Sequence, residues 1–414
     1  MNRLARLLSP LVLLCVLAAC AKPAVPTAPA AATSAPKPAE AAQAPELFLA
    51  RPEGARGPLV AYDMASGLQR FTLPAGLMAA DEKSFFTAAV TGDKTTLWAF
   101  DVQTGRQTGV FPFDGQWALS GVSPNGRWAA FTRLASESAK TTWTKANTWK
   151  TDVLIVDAQD RRIAHTIRLD GNFEVDGLSR LGNSLFLIHH LPPVNPDRYQ
   201  VRLYDLAAGR LQEGALVDKR APDEVMAGQQ WEAVGSRDGR WLLTLYLRTK
   251  HHSAFIHALD LDDRFTFCID LPSGDGNMEK LKAYTLALAP DDRTIYAANP
   301  ALGLMAKVSL DDLSVTNALK FDPIAFTYDP QEPRRSLVSN DGQRVYFAAG
   351  PQVWAYDLKR GAITSYEVSA PVTSVGVSGD AQRLYLTTAN QALQVFDAIN
   401  GQVLSFQTAN VQSR

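Results

Sequence analysis

The sequence predicts an all-β fold, a β-propeller of four-stranded antiparallel blades. Three observations predict it. Eight short apolar segments end in aspartate, at Asp63, Asp101, Asp157, Asp205, Asp260, Asp311, Asp357 and Asp397. The seven intervals between them average about 48 residues, the length of one blade with its loops. Two turn motifs recur in phase with them. Ser123-Pro-Asn-Gly126, Ser236-Arg-Asp-Gly239, Pro290-Asp-Asp-Arg293 and Ser339-Asn-Asp-Gly342 sit between the first and second strands of a unit. Asp-x-x-x-Gly, as in Asp63/Gly67, Asp101/Gly105, Asp205/Gly209, Asp357/Gly361 and Asp397/Gly401, joins the third to the fourth. Aspartate accepts hydrogen bonds from the amides of its own turn, and glycine takes the left-handed position. The aspartates are therefore read as turn formers.

From the N-terminus, residues 1–19 are a targeting signal. Arg3 and Arg6 precede an apolar stretch from Leu7 to Leu17, too short to span a membrane. Leu17-Ala18-Ala19-Cys20 resembles the lipobox of bacterial lipoproteins. That resemblance implies cleavage before Cys20 and lipid on its thiol, so that acyl chains anchor the protein. With Ala21 after the cysteine, it also implies outer-membrane sorting in a two-membrane cell. The expected location is thus the cell membrane or outer membrane, on its extracytoplasmic or periplasmic side. Residues 20–45 are rich in Ala and Pro and almost free of large apolar side chains. They cannot bury enough surface to offset ordering, and are expected to form a disordered tether.

Residues 46–414 form the propeller. The first unit begins at Leu47-Phe-Leu-Ala50 in the place of a second strand, so its first strand is missing. The other seven units are complete, which predicts 31 strands. Eight blades are favoured, with seven plus a peripheral hairpin as the alternative. Closure of the ring protects sheet edges. Ile295-Tyr-Ala-Ala-Asn299 and Leu384-Tyr-Leu-Thr-Thr388 resemble the YVTN repeat. Leu97-Trp-Ala-Phe-Asp101 and Val353-Trp-Ala-Tyr-Asp357 resemble the PQQ-like repeat, both WD40-like bacterial propeller families. The resemblance implies a fold and leaves the activity open.

In such blades the short turns lie on one face, and the second-to-third and fourth-to-first loops on the other. The long loops cluster in units three to five: Arg133 to Lys150, the stretch after His189-His190, Arg248 to His252, and Asp218 to Gln230. They hold the candidate ligand-binding residues Trp143, Trp149, His189, His190, His251 and His252. Exposed aromatics suit a protein or carbohydrate partner. The opposite expectation is that the two rings pin their loop to the disc. Imidazoles suit a divalent metal, with His190, His251 and His252 as weak candidates. Neighbours on a strand point to opposite sides, however, so His189 and His190 cannot easily share an ion.

Other functions are excluded or left without support. A net charge of −1 argues against a nucleic-acid partner. Of three cysteines, only Cys268 remains beside Cys20 after cleavage, and it reads as a small buried hydrophobe rather than half of a disulfide. No phosphate-binding glycine loop or Gly-x-Ser-x-Gly elbow occurs. The expected function is a non-catalytic binding or scaffold module for a protein, glycan or cell-envelope component, with no cofactor. The alternative is a lactonase- or hydrolase-like propeller with a metal at the central channel.

Overall fold

The computed structural model describes residues 46–53, 57–134, 149–194, 198–218, 220, 227–324, 335–390 and 393–407. Blade 1 comprises β1 (Leu47–Ala50), β2 (Leu59–Asp63) and β3 (Gln69–Leu73). Blade 2 comprises β4 (Leu77–Met78), β5 (Ser84–Thr91), β6 (Lys94–Asp101) and β7 (Gln107–Asp114). Blade 3 is β8 (Trp117–Val122), β9 (Trp128–Arg133), β10 (Lys150–Asp157) and β11 (Arg162–Asp170). Blade 4 is β12 (Asn172–Leu178), β13 (Ser184–Leu191), β14 (Arg198–Asp205) and β15 (Arg210–Leu211). Blade 5 is β16 (Gln229–Gly235), β17 (Trp241–Arg248), β18 (Ser253–Asp260) and β19 (Phe265–Leu271). The short helix α1 (Met278–Leu281) leads into blade 6, of β20 (Thr285–Leu288), β21 (Thr294–Asn299), β22 (Leu304–Ser309) and β23 (Ser314–Lys320). Blade 7 is β24 (Arg335–Val338), β25 (Arg344–Ala349), β26 (Gln352–Asp357) and β27 (Ala362–Glu367). Blade 8 is β28 (Val372–Val377), β29 (Arg383–Thr388), β30 (Leu393–Asp397) and β31 (Val403–Gln407).

Eight antiparallel sheets in a ring thus hold 31 strands among the described residues, the first sheet with three strands and the rest with four. No helix among those residues is long and apolar enough to cross a membrane.

Each sheet is buried on both faces because its neighbours in the ring cover it. Second and third strands such as β13 and β18 are therefore nearly continuous apolar runs, whereas fourth strands such as β7 and β27 alternate with exposed residues on the perimeter. An apolar cluster fills every interface, from Leu59, Leu73 and Phe85 between blades 1 and 2 to Phe48, Tyr62, Tyr385 and Val395 between blades 1 and 8. The last interface closes the ring. No blade borrows a strand from a distant part of the chain, so packing and a few hydrogen bonds close it. Arg51 N–H donates to Ser374 Oγ at 2.7 Å, and the Tyr385 hydroxyl donates to Met64 O.

The turns follow the sequence pattern, with one displacement. Asp157 Oδ1 accepts the amides of Gln159 and Asp160, and Asp397 Oδ1 those of Ile399 and Asn400. Blade 6 departs from this. There the strand ends at Ser309, opposite Thr294, and the Ser309 hydroxyl accepts the Asp312 amide. Asp311 lies two residues further on, in an exposed ion pair with Arg293. At the first turn of the blades, Ser123, Ser179, Ser236, Ser339 and Ser378 each accept the amide of the residue five positions on.

Candidate functional site

The two faces of the disc differ in what they leave free. On the turn face, blades tie to one another: Asn125 to Arg180 O, Arg180 to Asp262, Arg264 to Asp205, and Asp292 to the Arg237 and Asp238 amides. The loop face carries the longer connections. Of the expected loops, Thr249–His252 proves to be a tight hairpin between Arg248 and Ser253.

The candidate residues do not converge. Trp143 lies outside the described residues. Trp149, at the loop-face end of β10, is 69% exposed. His189 turns toward blade 3 and stacks on Phe173, with ring centroids 4.1 Å apart. His190 turns the other way, toward blade 5, and is buried. His251 and His252 are exposed in the hairpin, with His252 Nδ1 3.0 Å from Gly276 O. Among the described residues, no three His, Cys, Asp or Glu side chains are grouped to hold a metal.

His190 instead joins a polar cluster that the sequence did not reveal. Its Nε2 lies 3.0 Å from Glu174 Oε2, to which it donates. Its Nδ1 is buried without a partner. Glu174 and Asp176 come from β12, the innermost strand of blade 4. Between Val175 and Gly177 that strand carries a β-bulge, with Asp176 as the extra residue, so that an acid takes a place in the ladder without a partner. Asp176 Oδ2 is enclosed and lacks a hydrogen-bond partner. Burial, and then the Glu174 charge, push the Asp176 carboxyl up to about 7. Tyr199 of β14 and Tyr246 of β17 stack at 5.3 Å beside this cluster, and burial raises both phenols above their ordinary range.

The cluster lies between blades 4 and 5. Innermost strands run side by side from blade 3 to 4, 5 to 6, 6 to 7 and 7 to 8, while β12 and β16 approach less closely than any of these pairs. Polar groups therefore stand at a seam that is otherwise apolar: His190, opposite Asn172, lies toward the loop face, and Asp176, beside Leu187 and Phe186, lies deeper along β12. At neutral pH Asp176 is near its midpoint and can donate or accept. His190 Nδ1 is enclosed beside it without a hydrogen-bond partner. Two acids beside a histidine can bind hydroxyls or move protons. The legible signal was Phe173-Glu-Val-Asp-Gly177, two acids in a strand whose counterpart in blade 8 is Val372-Thr-Ser-Val-Gly-Val377.

No family model matches the chain, and no curated protein matches it. Solved structures do resemble it. The dihydro-heme d1 dehydrogenase NirN in complex with DHE shares 14% identity at a TM-score of 0.51, over 90% of this chain and 75% of that one. Apo AztD from Citrobacter koseri shares 12% at 0.53, over 88% of this chain and 94% of that one. At such identities the likeness shows the propeller fold alone.

Proposed function

We propose that this chain is a non-catalytic binding propeller of the cell envelope. Lipid on Cys20 anchors it to the cell membrane or outer membrane, residues 20–45 hold it off the bilayer, and the loop-face channel mouth takes the ligand. The supporting observation is the pair of enclosed, unpartnered polar atoms at the seam of blades 4 and 5, Asp176 Oδ2 and His190 Nδ1. Leaving such an atom unsatisfied costs about 1–3 kcal/mol, so a ligand group that hydrogen-bonds to it gains about that much. A hydroxyl-rich envelope glycan matches best, because each hydroxyl both donates and accepts. The exposed ring of Trp149 on the same face offers a stacking surface.

Two experiments test this. Soluble peptidoglycan fragments are titrated into the full-length protein in detergent, with Asp176→Leu and Trp149→Ala alongside. The reading expects saturable binding, weakened at least tenfold by Asp176→Leu; binding indifferent to both changes refutes the site. For the anchor, Cys20→Ser is expected to abolish labelling by a fatty-acid analogue and release the protein from membranes. A labelled, membrane-bound variant refutes it.

A hydrolase reading draws on the Glu174–His190 contact and the raised Asp176. It requires turnover of a lactone or glycoside that falls away in Asp176→Asn. Metal analysis of the purified protein tests the metal-dependent form of that reading.

A further inference from the structure

We propose that the Glu174–Asp176–His190 cluster selects a ligand that carries a primary ammonium group, the free amine of an amino sugar. The proposal deepens the binding reading above and rests on its placement of a glycan at this cluster.

Donors and acceptors in the cluster are unbalanced. His190 Nε2 donates to Glu174 Oε2 at 3.0 Å, so in the neutral ring the other nitrogen, Nδ1, can only accept. That atom is enclosed without a partner, on a residue only 4% exposed. Asp176 stands two residues beyond Glu174 on β12, close enough for the Glu174 charge to act on it. Its Oδ2 is also enclosed without a partner, and an ionised carboxylate only accepts. Among the described residues no lysine or arginine is paired with either acid. The Glu174 side chain is 59% exposed, so the cluster reaches solvent on that side.

Other blades show how a bulged residue is ordinarily used. Ser120 is the extra residue of β8 and stands three places before the turn serine Ser123, as Asp176 stands before Ser179. Trp231 and Thr373 are the extra residues of β16 and β28. Ser120 donates to Ala118 O at 3.1 Å, Trp231 donates to Lys282 O at 3.1 Å, and Thr373 Oγ1 lies 3.0 Å from Thr387 Oγ1. Of these four, Asp176 alone keeps an enclosed oxygen with nothing bonded to it.

An ammonium answers this arrangement with three donors, no acceptor and a positive charge, where a hydroxyl brings one donor and no charge. A metal ion fits less well, since no three ligating side chains are grouped among the described residues. The groups around Asp176 supply no cation of their own. Glu174 shares its strand, and Tyr199 and Tyr246 face it from β14 and β17. Cys268 and Arg248 act on Tyr199, and Arg248 pairs with Asp270 at 3.0 Å. Glu232 of β16 accepts the Leu286 amide of blade 6. An acid buried in such company keeps its proton to about pH 7, and an ammonium beside it would lower that value and release the proton.

The test compares methyl 6-amino-6-deoxyglucoside with its N-acetyl derivative, by isothermal titration calorimetry on the full-length protein in detergent. The two share a ring and its hydroxyls and differ in the ammonium, which an aliphatic amine keeps at neutral pH. At pH 7.5 the expected result is saturable binding of the amino sugar, at least tenfold tighter than that of the acetylated one. Heats measured in buffers of different ionisation enthalpy should report a proton released on binding. On acidification from pH 7.5 to 5.5 affinity for the amino sugar should fall at least fivefold, because a protonated carboxyl no longer attracts the cation. Asp176→Asn should remove most of the preference and flatten this pH dependence, which separates the Asp176 proton from those of Glu174 and His190. Asp311→Asn on the turn face should change neither. Equal affinity for the two sugars overturns the proposal, as does absence of amino-sugar binding or a preference that survives Asp176→Asn. The comparison on the unmutated chain decides the matter even if Asp176→Asn fails to fold. Peptidoglycan fragments that bind while the two sugars are not distinguished overturn this inference alone; fragments that fail to bind refute the glycan reading instead.

Discussion

Removing the Phe48 ring should open the propeller at one place. Phe48 is 2% exposed, with its centroid 6.2 Å from that of Tyr62 and 5.9 Å from that of Tyr385. It also fills the space left by Gly376, where an added Cβ would collide with the ring. No shared strand crosses from blade 8 to blade 1, so these contacts and a few hydrogen bonds are what close the ring. Truncating a buried phenylalanine to alanine costs about 3–5 kcal/mol, a large share of the 5–15 kcal/mol typical of a folded domain. Phe48→Ala is therefore expected to lower stability by about that much in urea unfolding. In native-state hydrogen exchange, β1, β2 and β28 to β30 should lose protection before blades 3 to 6. Gly376→Ala alone should also destabilise, by overpacking. Combined with Phe48→Ala it should be milder than the sum, because the deleted ring makes room. A loss below about 1 kcal/mol, or protection lost evenly around the ring, would refute closure by packing.

The aspartates should differ sharply in weight. Asp260 is fully buried, accepts the Asp262 and Asp263 amides and pairs with Arg240 at 2.7 Å, so Asp260→Ala should cost about 2–4 kcal/mol. Asp311→Ala removes only an exposed pair and should cost under about 1 kcal/mol; equal losses in urea unfolding would count against the displaced turn of blade 6. Burial holds the His257 imidazole down to about 4. The unfolded chain then binds more protons between that value and about 6.5, so stability falls on acidification through this window. His257→Gln should reduce the difference between urea midpoints at pH 4.5 and 7.5, and an unchanged difference would show that another group dominates. Trp149→Ala should change stability by less than about 0.5 kcal/mol, since the ring is exposed. Its unfolding the protein would mean that the ring pins the loop.

What the sequence determined by itself is the local and repeated part. The Asp-x-x-x-Gly turns and the serines before Gly126, Gly239 and Gly342 bond to amides within five residues, so their chemistry is written in consecutive letters. Blade number followed, as did the opposite orientation of His189 and His190, because strand alternation is a local rule. Even here Asp311 misled, since Ser309 can form the same turn and the repeat tolerates the exchange. What the tertiary structure decided is whatever depends on the ring. Arg51 and Ser374 meet across 323 residues, and Asp176 enters the seam only because a bulge re-aims it. Phe48 reads as one more apolar residue until closure sets Tyr385 and Gly376 against it. Turns are specified by hydrogen bonds between near neighbours, whereas the channel mouth is specified by the angle at which eight separate sheets pack. No single segment of the chain encodes that angle.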